Sequence, residues 1–183
     1  SLLLYADDIA AVSLTRRGMI EKVNKLNEVF SKYGLKLSAE KTEFMVFNED
    51  FQEEFITLRD GKKIKRVDEF VYLGSVFTSN CKCDADIDRR IKLAHAAASG
   101  FNGLLWTNQI SPAKKVRLVM CFLYPVVSYA SECWSLSKDS VDKLNVYWMK
   151  IMRRCAGIRI TEHIRNTEIL ERLKVVKLSE MIE

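Results

Sequence analysis

The sequence of 183 residues contains only 7 glycines and 2 prolines. Such a low content excludes collagen-like repeats, proline-rich linkers and most kinds of low-complexity disorder. No apolar run approaches the ~20 residues that a helix needs to span a bilayer, so we expect no transmembrane helix and no membrane partner. The N-terminus also lacks an initiator methionine and a basic leader, and carboxylates follow its first apolar residues. We therefore expect no signal peptide, and a chain that begins inside a β-element of a larger protein.

The remaining composition is typical of a globular protein, with 48% hydrophobic and 29% charged residues. The formal net charge is +5, and the surplus lies in residues 101–183, which carry 13 basic and 8 acidic side chains. A basic region of this kind is compatible with a polyanion partner such as nucleic acid. An ordinary solvated helical surface explains the same charge, and charge alone favours this second interpretation.

The five cysteines are odd in number, and most of them are widely scattered. Cys81 and Cys83 are separated by a single residue, and no second pair or histidine lies at zinc-ligand spacing. Cys121 and Cys155 fall within helical apolar patterns, where a free cysteine behaves as a small hydrophobic residue. We expect reduced structural thiols in an intracellular protein, and no zinc site.

Residues 1–80 combine short strands with one clear helix, which predicts the α+β fold class. Apolar residues recur at helical spacing from Met19 to Tyr33, and Gly34 follows at the place where a left-handed residue ends many helices. Three further segments predict strands: residues 42–47, a hairpin with an Asp-Gly turn at residues 56–64, and a strand pair or bent strand at residues 70–77.

Residues 81–183 predict a helical region, so the predicted domains are 1–80 and 81–183. Apolar residues at helical spacing and recognisable start and stop residues support this prediction. The predicted helices run from Asp84 to Leu105, from Pro112 until Pro125 ends or kinks it, from Val141 to Gly157 and from Asn166 onward, with a last one cut off at residues 179–183.

The most informative segment is Tyr5-Ala6-Asp7-Asp8, which separates two short apolar runs. Adjacent carboxylates repel each other, and a nearby cation relieves this repulsion. Mg²⁺ is typically bound by a few carboxylates together with substrate phosphates, and two such ions assist phosphoryl transfer. The alternative is that Asp-Asp is simply a favourable turn sequence. For an isolated pair this alternative is preferred; the flanking strands and the preceding aromatic residue favour a metal site.

The quartet Tyr5–Asp8 resembles the Tyr-x-Asp-Asp hairpin of reverse transcriptases, and further segments resemble those of LINE-type (non-LTR) retrotransposon enzymes, the RTE-like group in particular. Ser38 stands where the palm segment of that family usually has Asn, and Ala130 replaces Gly in the thumb segment. The similar segments, in the family's order, are Gly34–Thr42 in the palm, Phe70–Gly74 in the primer grip, Tyr129–Trp134 in the thumb-side region and the Arg-rich Met152–Ile158.

The resemblance implies an RNA-directed DNA polymerase, of which this chain would hold the C-terminal part of the palm and a thumb-like helical region. Asp7 and Asp8 would help to hold two Mg²⁺ ions, while a third metal-binding Asp and the fingers would lie upstream of Ser1. The primer 3′-hydroxyl would attack the α-phosphate of a dNTP. The implied partners are an RNA template, a DNA primer and a dNTP, and the implied location is the nucleus and cytoplasm.

The resemblance also implies roles for individual residues. Lys41 would act as an acid or electrostatic helper at the leaving group; the alternative is a solvated loop lysine. For Tyr72 and Gly74 the alternative is a buried strand, and for the basic residues it is a polar helix face. Residues implied to contact primer or nucleic acid are Tyr5, Tyr72, Leu73, Gly74, Arg89, Arg90, Lys114 and Lys115.

Two hypotheses about function remain open. In the first, the chain is part of a catalytic reverse transcriptase and is inactive by itself. In the second, it is a retrotransposon remnant that acts as a non-catalytic, basic nucleic-acid-binding or interaction module. The reading frame upstream of Ser1 distinguishes them, since only the first requires a strand that carries the earlier Asp.

Overall fold

The computed structural model of the protein describes residues 1–47 and 53–182, and its contacts divide the chain into two units. Unit 1 contains the described residues of Ser1–Phe70 together with Thr78–Cys81. Unit 2 contains Val71–Phe77 and the chain from Lys82 onward. Helices and strands are both present, as expected for an α+β protein. Val71–Phe77 therefore belong with the helices, although the sequence pattern grouped them with the strands.

Unit 1 consists of one helix and two small sheets. β1 pairs antiparallel with β2. In the second sheet β5 is central, antiparallel to β4 and parallel to β3. The strand predicted at residues 42–47 is present as β3, which covers only two residues. The elements of this unit are β1 Leu2–Tyr5, β2 Asp8–Ala11, α1 Arg16–Lys32, β3 Glu43–Phe44, β4 Phe55–Thr57 and β5 Lys63–Arg66.

Local sequence signals set both ends of α1. The Thr15 side chain accepts a hydrogen bond from the Gly18 backbone amide at 3.1 Å, which caps the first turn. At the other end Gly34 has φ +72°, and the Leu35 amide donates to the Phe30 carbonyl at 2.9 Å. This is the Schellman arrangement, in which a left-handed glycine lets the chain turn back over the last carbonyls. The predicted helix and its glycine stop are confirmed.

The core of unit 1 is small. Val23 of α1 packs with three buried side chains of the β4–β5 hairpin, namely Ile56, Leu58 and Ile64. Asn24 is also buried; its amide nitrogen donates to the Ile20 carbonyl and its oxygen accepts from the Arg59 amide. The predicted Asp-Gly turn is confirmed by the antiparallel β4–β5 pairing and by Gly61 at φ +82°.

Unit 2 contains the β6–β7 hairpin apart from Glu69, Phe70 and Thr78, followed by helices. β6 and β7 pair in a two-stranded sheet. The helix predicted from Asp84 to Leu105 is interrupted at Phe101, and the break near Pro125 falls between α4 and α5. The elements are β6 Glu69–Tyr72, β7 Ser75–Thr78, α2 Asp84–Gly100, α3 Asn102–Trp106, α4 Pro112–Phe122, α5 Tyr124–Val127, a 3-10 helix Ser131–Cys133, α6 Lys138–Ala156, a 3-10 helix Ile160–Glu162, α7 Asn166–Leu173 and α8 Leu178–Ile182. The predicted final helix also included Glu183, which lies outside the described residues.

Helix α6 forms the centre of the unit 2 core. Its apolar stripe includes Leu144, Trp148, Ile151 and Cys155, all nearly inaccessible to solvent. The Trp148 indole donates to the Val176 carbonyl at 3.0 Å, which satisfies its only polar atom inside the core. Over residues 1–47 and 53–182, no helix has the length and apolar character needed to cross a membrane.

Candidate functional site

The acidic pair lies at the tight turn of the β1–β2 hairpin, with Asp7 in the turn and Asp8 as the first residue of β2. Tyr5 pairs with Asp8 at the end of the ladder, so the turn consists of Ala6 and Asp7. Ala6 adopts φ +51°, a left-handed conformation that costs an alanine of order 1–3 kcal/mol. Asp7 and Asp8 are both exposed. The hairpin therefore presents two adjacent carboxylates to solvent from a constrained turn.

The strand that precedes this turn is apolar and uncovered within its own unit. Leu2, Leu3, Leu4 and Tyr5 are 45%, 54%, 69% and 64% exposed. A strand normally buries at least one face, because alternate side chains point to opposite sides of a sheet. β1 buries neither face, so its apolar character is not explained by packing inside unit 1.

The donor chemistry of the turn suits part of a Mg²⁺ site. Carboxylate oxygens are hard ligands, and Mg²⁺ sites in phosphoryl-transfer enzymes commonly combine one or two carboxylates with substrate phosphates. Among the described residues, no three His, Cys, Asp or Glu side chains come together as a metal-binding group. Asp7 and Asp8 are two carboxylates, one fewer than such a group contains.

Lys41 lies in unit 1 on the exposed turn that follows α1. The turn is closed by the Lys41 and Thr42 amides, which donate to the Ser38 carbonyl at 3.2 Å and 3.0 Å. The Thr42 hydroxyl donates to the same carbonyl at 2.7 Å. The backbone of Ser38 therefore organises the segment, and the Lys41 side chain is exposed.

A second ordered turn lies in unit 2, between β6 and β7. Leu73 and Gly74 have φ +47° and +85°, so both turn residues are left-handed. The Tyr129 hydroxyl donates to the Leu73 carbonyl at 2.7 Å, and the guanidinium groups of Arg89 and Arg90 donate to the Gly74 carbonyl. A Cβ on Gly74 would lie 3.5 Å from the Arg90 guanidinium. Glycine is required here by its φ more than by lack of space.

The side chains behind this turn form one polar cluster. The Arg90 guanidinium lies 4.2 Å from the centre of the Tyr129 ring, a cation–π contact. Asp86, only 2% exposed, accepts hydrogen bonds from the Val76 amide and the Trp134 indole, both at 2.9 Å. The Arg90 Nε lies 3.9 Å from the Asp86 carboxylate. We call this set the Gly74 cluster; its members are Gly74, Asp86, Arg90, Tyr129 and Trp134.

The cluster joins residues of two segments that are distant in sequence, Phe70–Gly74 and Tyr129–Trp134. The sequence pattern did not place Asp86 and Trp134 together. The one hint in the sequence is that both segments resemble segments of the same family.

The four predicted phosphate-binding residues occupy different environments. Arg90 and Lys115 are 7% and 3% exposed, and Arg89 is half-buried. Both arginines donate to the Gly74 carbonyl, so their guanidinium groups already serve the protein backbone. Lys114 is exposed on α4. Among these four, Lys114 is the side chain that solvent reaches most freely.

Comparison with known proteins gives two similarities. Residues 1–77 match the family described as Reverse transcriptase (RNA-dependent DNA polymerase). The chain is also 26% identical, over 164 residues, to the transposon-derived protein F52C9.6 of Caenorhabditis elegans. This alignment covers 87% of the chain and 58% of that relative, so the chain spans little more than half of the relative's length. No solved structure matches the chain significantly. The matched region contains the acidic hairpin, and the two similarities together support a reverse-transcriptase-like chain related to transposons.

Proposed function

We propose that the chain is the C-terminal palm, primer grip and thumb-like region of a LINE-type, RTE-like non-LTR retrotransposon reverse transcriptase. Residues 1–80 would belong to the palm and residues 81–183 to the thumb. The observation that carries the proposal is the exposed Asp7–Asp8 turn inside the segment similar to reverse transcriptases. The whole enzyme would catalyse template-directed nucleotidyl transfer, using an RNA template, a DNA primer and dNTPs in the nucleus and cytoplasm.

The acidic hairpin would form part of the metal site of the intact enzyme. When bound, two Mg²⁺ ions would neutralise the charge that develops on the transferring phosphoryl group. Asp7 and Asp8 would each offer an exposed carboxylate, and the ions would relieve the repulsion between them. In the reaction the primer 3′-oxygen bonds to the α-phosphorus and pyrophosphate leaves. Lys41 would assist departure of the pyrophosphate by donating a proton or by its charge.

The Leu73–Gly74 turn would support the primer. Tyr72, Leu73 and Gly74 form a hairpin end whose Leu73 and Gly74 carbonyls accept hydrogen bonds from Tyr129 and Arg90, so the turn is ordered before any ligand arrives. A pre-ordered turn loses little conformational entropy when a nucleic acid binds. Tyr5 would offer its exposed ring near the acidic pair. The members of the Gly74 cluster behind the turn, Asp86, Arg90, Tyr129 and Trp134, would therefore have a positioning role rather than direct contact with the primer.

The basic residues of the helical unit would contact backbone phosphates. Lys114 is exposed and suits this role directly, and Arg89 could reach it from its half-buried position. Arg90 and Lys115, which are buried, would act by supporting the surface that the nucleic acid meets. Phosphate contacts of this kind release counterions, so binding should weaken as salt rises. The logarithm of the affinity should fall with the logarithm of the salt concentration, with a slope of about −0.9 per contact for duplex DNA.

A second candidate function is a non-catalytic nucleic-acid-binding or interaction module. The observation in its favour is that unit 2 holds the basic surplus and an extensive core of its own. In this case the acidic hairpin would have no catalytic use.

The test is primer extension by the full-length parent protein carrying Asp7→Ala or Asp8→Ala. We expect extension to fall by orders of magnitude for either variant, with Asp7→Ala the more severe, while the folded fraction stays unchanged because exposed turn carboxylates make few packing contacts. The matched control is Asp60→Ala, which removes the carboxylate that accepts from Asn27 and Lys62 in the β4–β5 turn. It should lose stability and keep its rate per folded molecule. Near-parental extension by Asp7→Ala, with loss in Asp60→Ala, would contradict the proposal.

The isolated chain provides the complementary measurement. We expect no Mg²⁺-dependent extension of oligo(dT) on poly(rA), since the two carboxylates of the hairpin are only part of the ligand set that two ions require. Extension that Asp7→Asn abolishes would show that the chain is a complete polymerase.

A further inference from the structure

A shallow groove runs between α2 and α6 in unit 2. Its volume is about 240 Å³. On α2 the lining residues share one helical face, and on α6 they follow one ridge, as spacings of three and four residues allow. The lining residues are Asp88, Ile91, His95, Lys143, Val146, Tyr147 and Lys150. None of them has a role in the function proposed above.

The wall of the groove holds a polar group that the protein leaves unsatisfied. Tyr147 is 1% exposed, and its hydroxyl has no hydrogen-bond partner among the residues that the structure describes. The His95 and Tyr147 rings meet edge to face, with centroids 4.9 Å apart and an interplanar angle of 88°. Buried hydroxyls are normally hydrogen-bonded, so an orphaned one beside an open groove suits a ligand that accepts a hydrogen bond.

One end of the groove is positively charged. At the opposite end the Lys143 ammonium is neutralised by the Asp88 carboxylate, with a closest distance of 2.9 Å. Lys150, exposed, follows Tyr147 on α6, and Arg154 lies one turn further along. The positive charge of Lys150 and Arg154 is therefore concentrated near His95.

Burial and the two nearby cations both disfavour the protonated form of His95. Burial lowers the pKa of His95 below its usual value, and the charges of Lys150 and Arg154 lower it further. Helices α3 and α5, which also pack against α2, contribute only Tyr124 as a titratable side chain, and its hydroxyl donates to the Met181 carbonyl at 3.1 Å. A group that resists protonation because cations surround it would accept a proton more readily once an anion is bound.

We propose that the charged end of the α2–α6 groove binds a backbone phosphate of nucleic acid; this rests on the proposed function, since it supplies the contact that a thumb would make. Lys150 and Arg154 donate charge-assisted hydrogen bonds to the phosphate oxygens. Protonated His95 adds a third positive charge, and the Tyr147 hydroxyl can donate to an oxygen that enters the groove. Binding is therefore coupled to proton uptake and is tighter at lower pH.

The test is NMR titration of the histidine ring protons in the 183-residue chain, with and without a single-stranded oligonucleotide. The chain has two histidines, so the exposed His163 serves as an internal reference. We expect the oligonucleotide to raise the pKa of His95 by roughly 0.5 unit, the effect of one charge about 5 Å away in a water-like medium. The ring-proton signals of His163 at a fixed pH should be the same with and without the oligonucleotide.

Two variants and one control complete the design. Lys150→Gln and Arg154→Gln should each abolish most of the oligonucleotide-induced shift. Lys138 is an exposed lysine about 18 Å from Lys150 along the same helix. The Lys138→Gln variant should leave the shift intact. Inorganic phosphate at the same phosphate concentration should move His95 much less, because it lacks the neighbouring contacts of a strand.

The outcomes also separate this inference from the proposed function. Oligonucleotide binding detected by fluorescence anisotropy, with no movement of the His95 signal, would overturn the groove site and leave the polymerase proposal standing. An equal shift with inorganic phosphate would contradict a site for a nucleic-acid backbone. A His95 shift that persists in Lys150→Gln and Arg154→Gln would also overturn it. Loss of extension by the parent protein does not enter this measurement.

Discussion

The helical unit buries nineteen apolar side chains among the described residues, whereas the unit that carries the acidic hairpin buries four. The helices of unit 2 meet around α6, whose stripe is covered on several sides. In unit 1 a single helix covers one hairpin, and β1 remains exposed on both faces. Since burial of apolar surface is the main favourable term in folding, the core of unit 2 should contribute more to stability than the core of unit 1.

The difference shows where the chemistry lies relative to stability. The residues proposed to bind metal lie in the weakly packed unit, on a turn with a strained alanine. The residues proposed to order the primer lie in the well-packed unit, inside the Gly74 cluster. The proposed metal-binding groups thus belong to the unit with a core of four residues, whereas the proposed supporting groups belong to the unit with a core of nineteen.

The largest effect on stability is expected from the centre of unit 2. Ile151→Ala removes a side chain that is fully buried on α6 and should cost about 2–5 kcal/mol, through lost burial and the cavity that remains. Chemical denaturation followed by tryptophan fluorescence measures it, because all three tryptophans belong to this unit. Val146→Ala is the control on the same helix; its side chain is 56% exposed, so the change should be within about 0.5 kcal/mol. Equal losses of stability in Ile151→Ala and Val146→Ala would contradict the placement of the unit 2 core around α6.

The next effect concerns the polar cluster behind the primer-grip turn. Asp86→Ala leaves the Val76 amide and the Trp134 indole without their acceptor and removes the carboxylate nearest Arg90. We expect a loss of about 3 kcal/mol, since the Arg90 charge stays buried.

Asp88→Ala is the matched control for this variant. Asp88 lies on the same helix and pairs with Lys143 at the surface, so its removal should cost at most about 1 kcal/mol. If both variants lost the same stability, Asp86 would not be the buried anchor of the cluster.

A smaller effect, dependent on pH, is expected in unit 1. The Lys62 side chain, then the Lys62 backbone amide and Asn27, lower the pKa of Asp60 by hydrogen bonding to its carboxylate. A carboxyl with a lowered pKa in the folded state contributes stability above its unfolded pKa and loses it as pH falls. Unit 1 should therefore weaken below about pH 4, and Asp60→Asn should flatten that limb. Backbone exchange of the β4–β5 hairpin at several pH values measures it, and an unchanged limb in Asp60→Asn would contradict the assignment.

Much of the fold could be predicted because its signals are local. The stripe that ends at Gly34, the Asp60–Gly61 turn and the stop at Gly157 each depend on neighbours in sequence. The break of the long helix at Phe101 could not be predicted, since its apolar spacing continues to Leu105. The acidic hairpin followed from two apolar runs around Asp7 and Asp8.

The Gly74 cluster shows what the sequence pattern cannot reach. Arg90 has the spacing and charge of a surface residue, and only the contact with Tyr129 and Gly74 makes it a buried one. The pairing of residues 74 and 129 is set by how α2 and the following helices pack, which no local rule specifies. The groove beside His95 has the same origin, because its two walls come from helices that are distant in sequence.

Native-state hydrogen exchange of the intact chain, read residue by residue, tests the contrast between the two units most directly. We expect the amides of Trp148–Met152 in α6 to be the slowest, because they open only when unit 2 unfolds. The amides of the β1–β2 hairpin should exchange at least roughly 100-fold faster, since an isolated two-stranded hairpin is only marginally stable. Protection of the Tyr5–Asp8 hairpin equal to that of α6 would contradict the account, because the acidic turn would then rest on a core as strong as that of the helical unit.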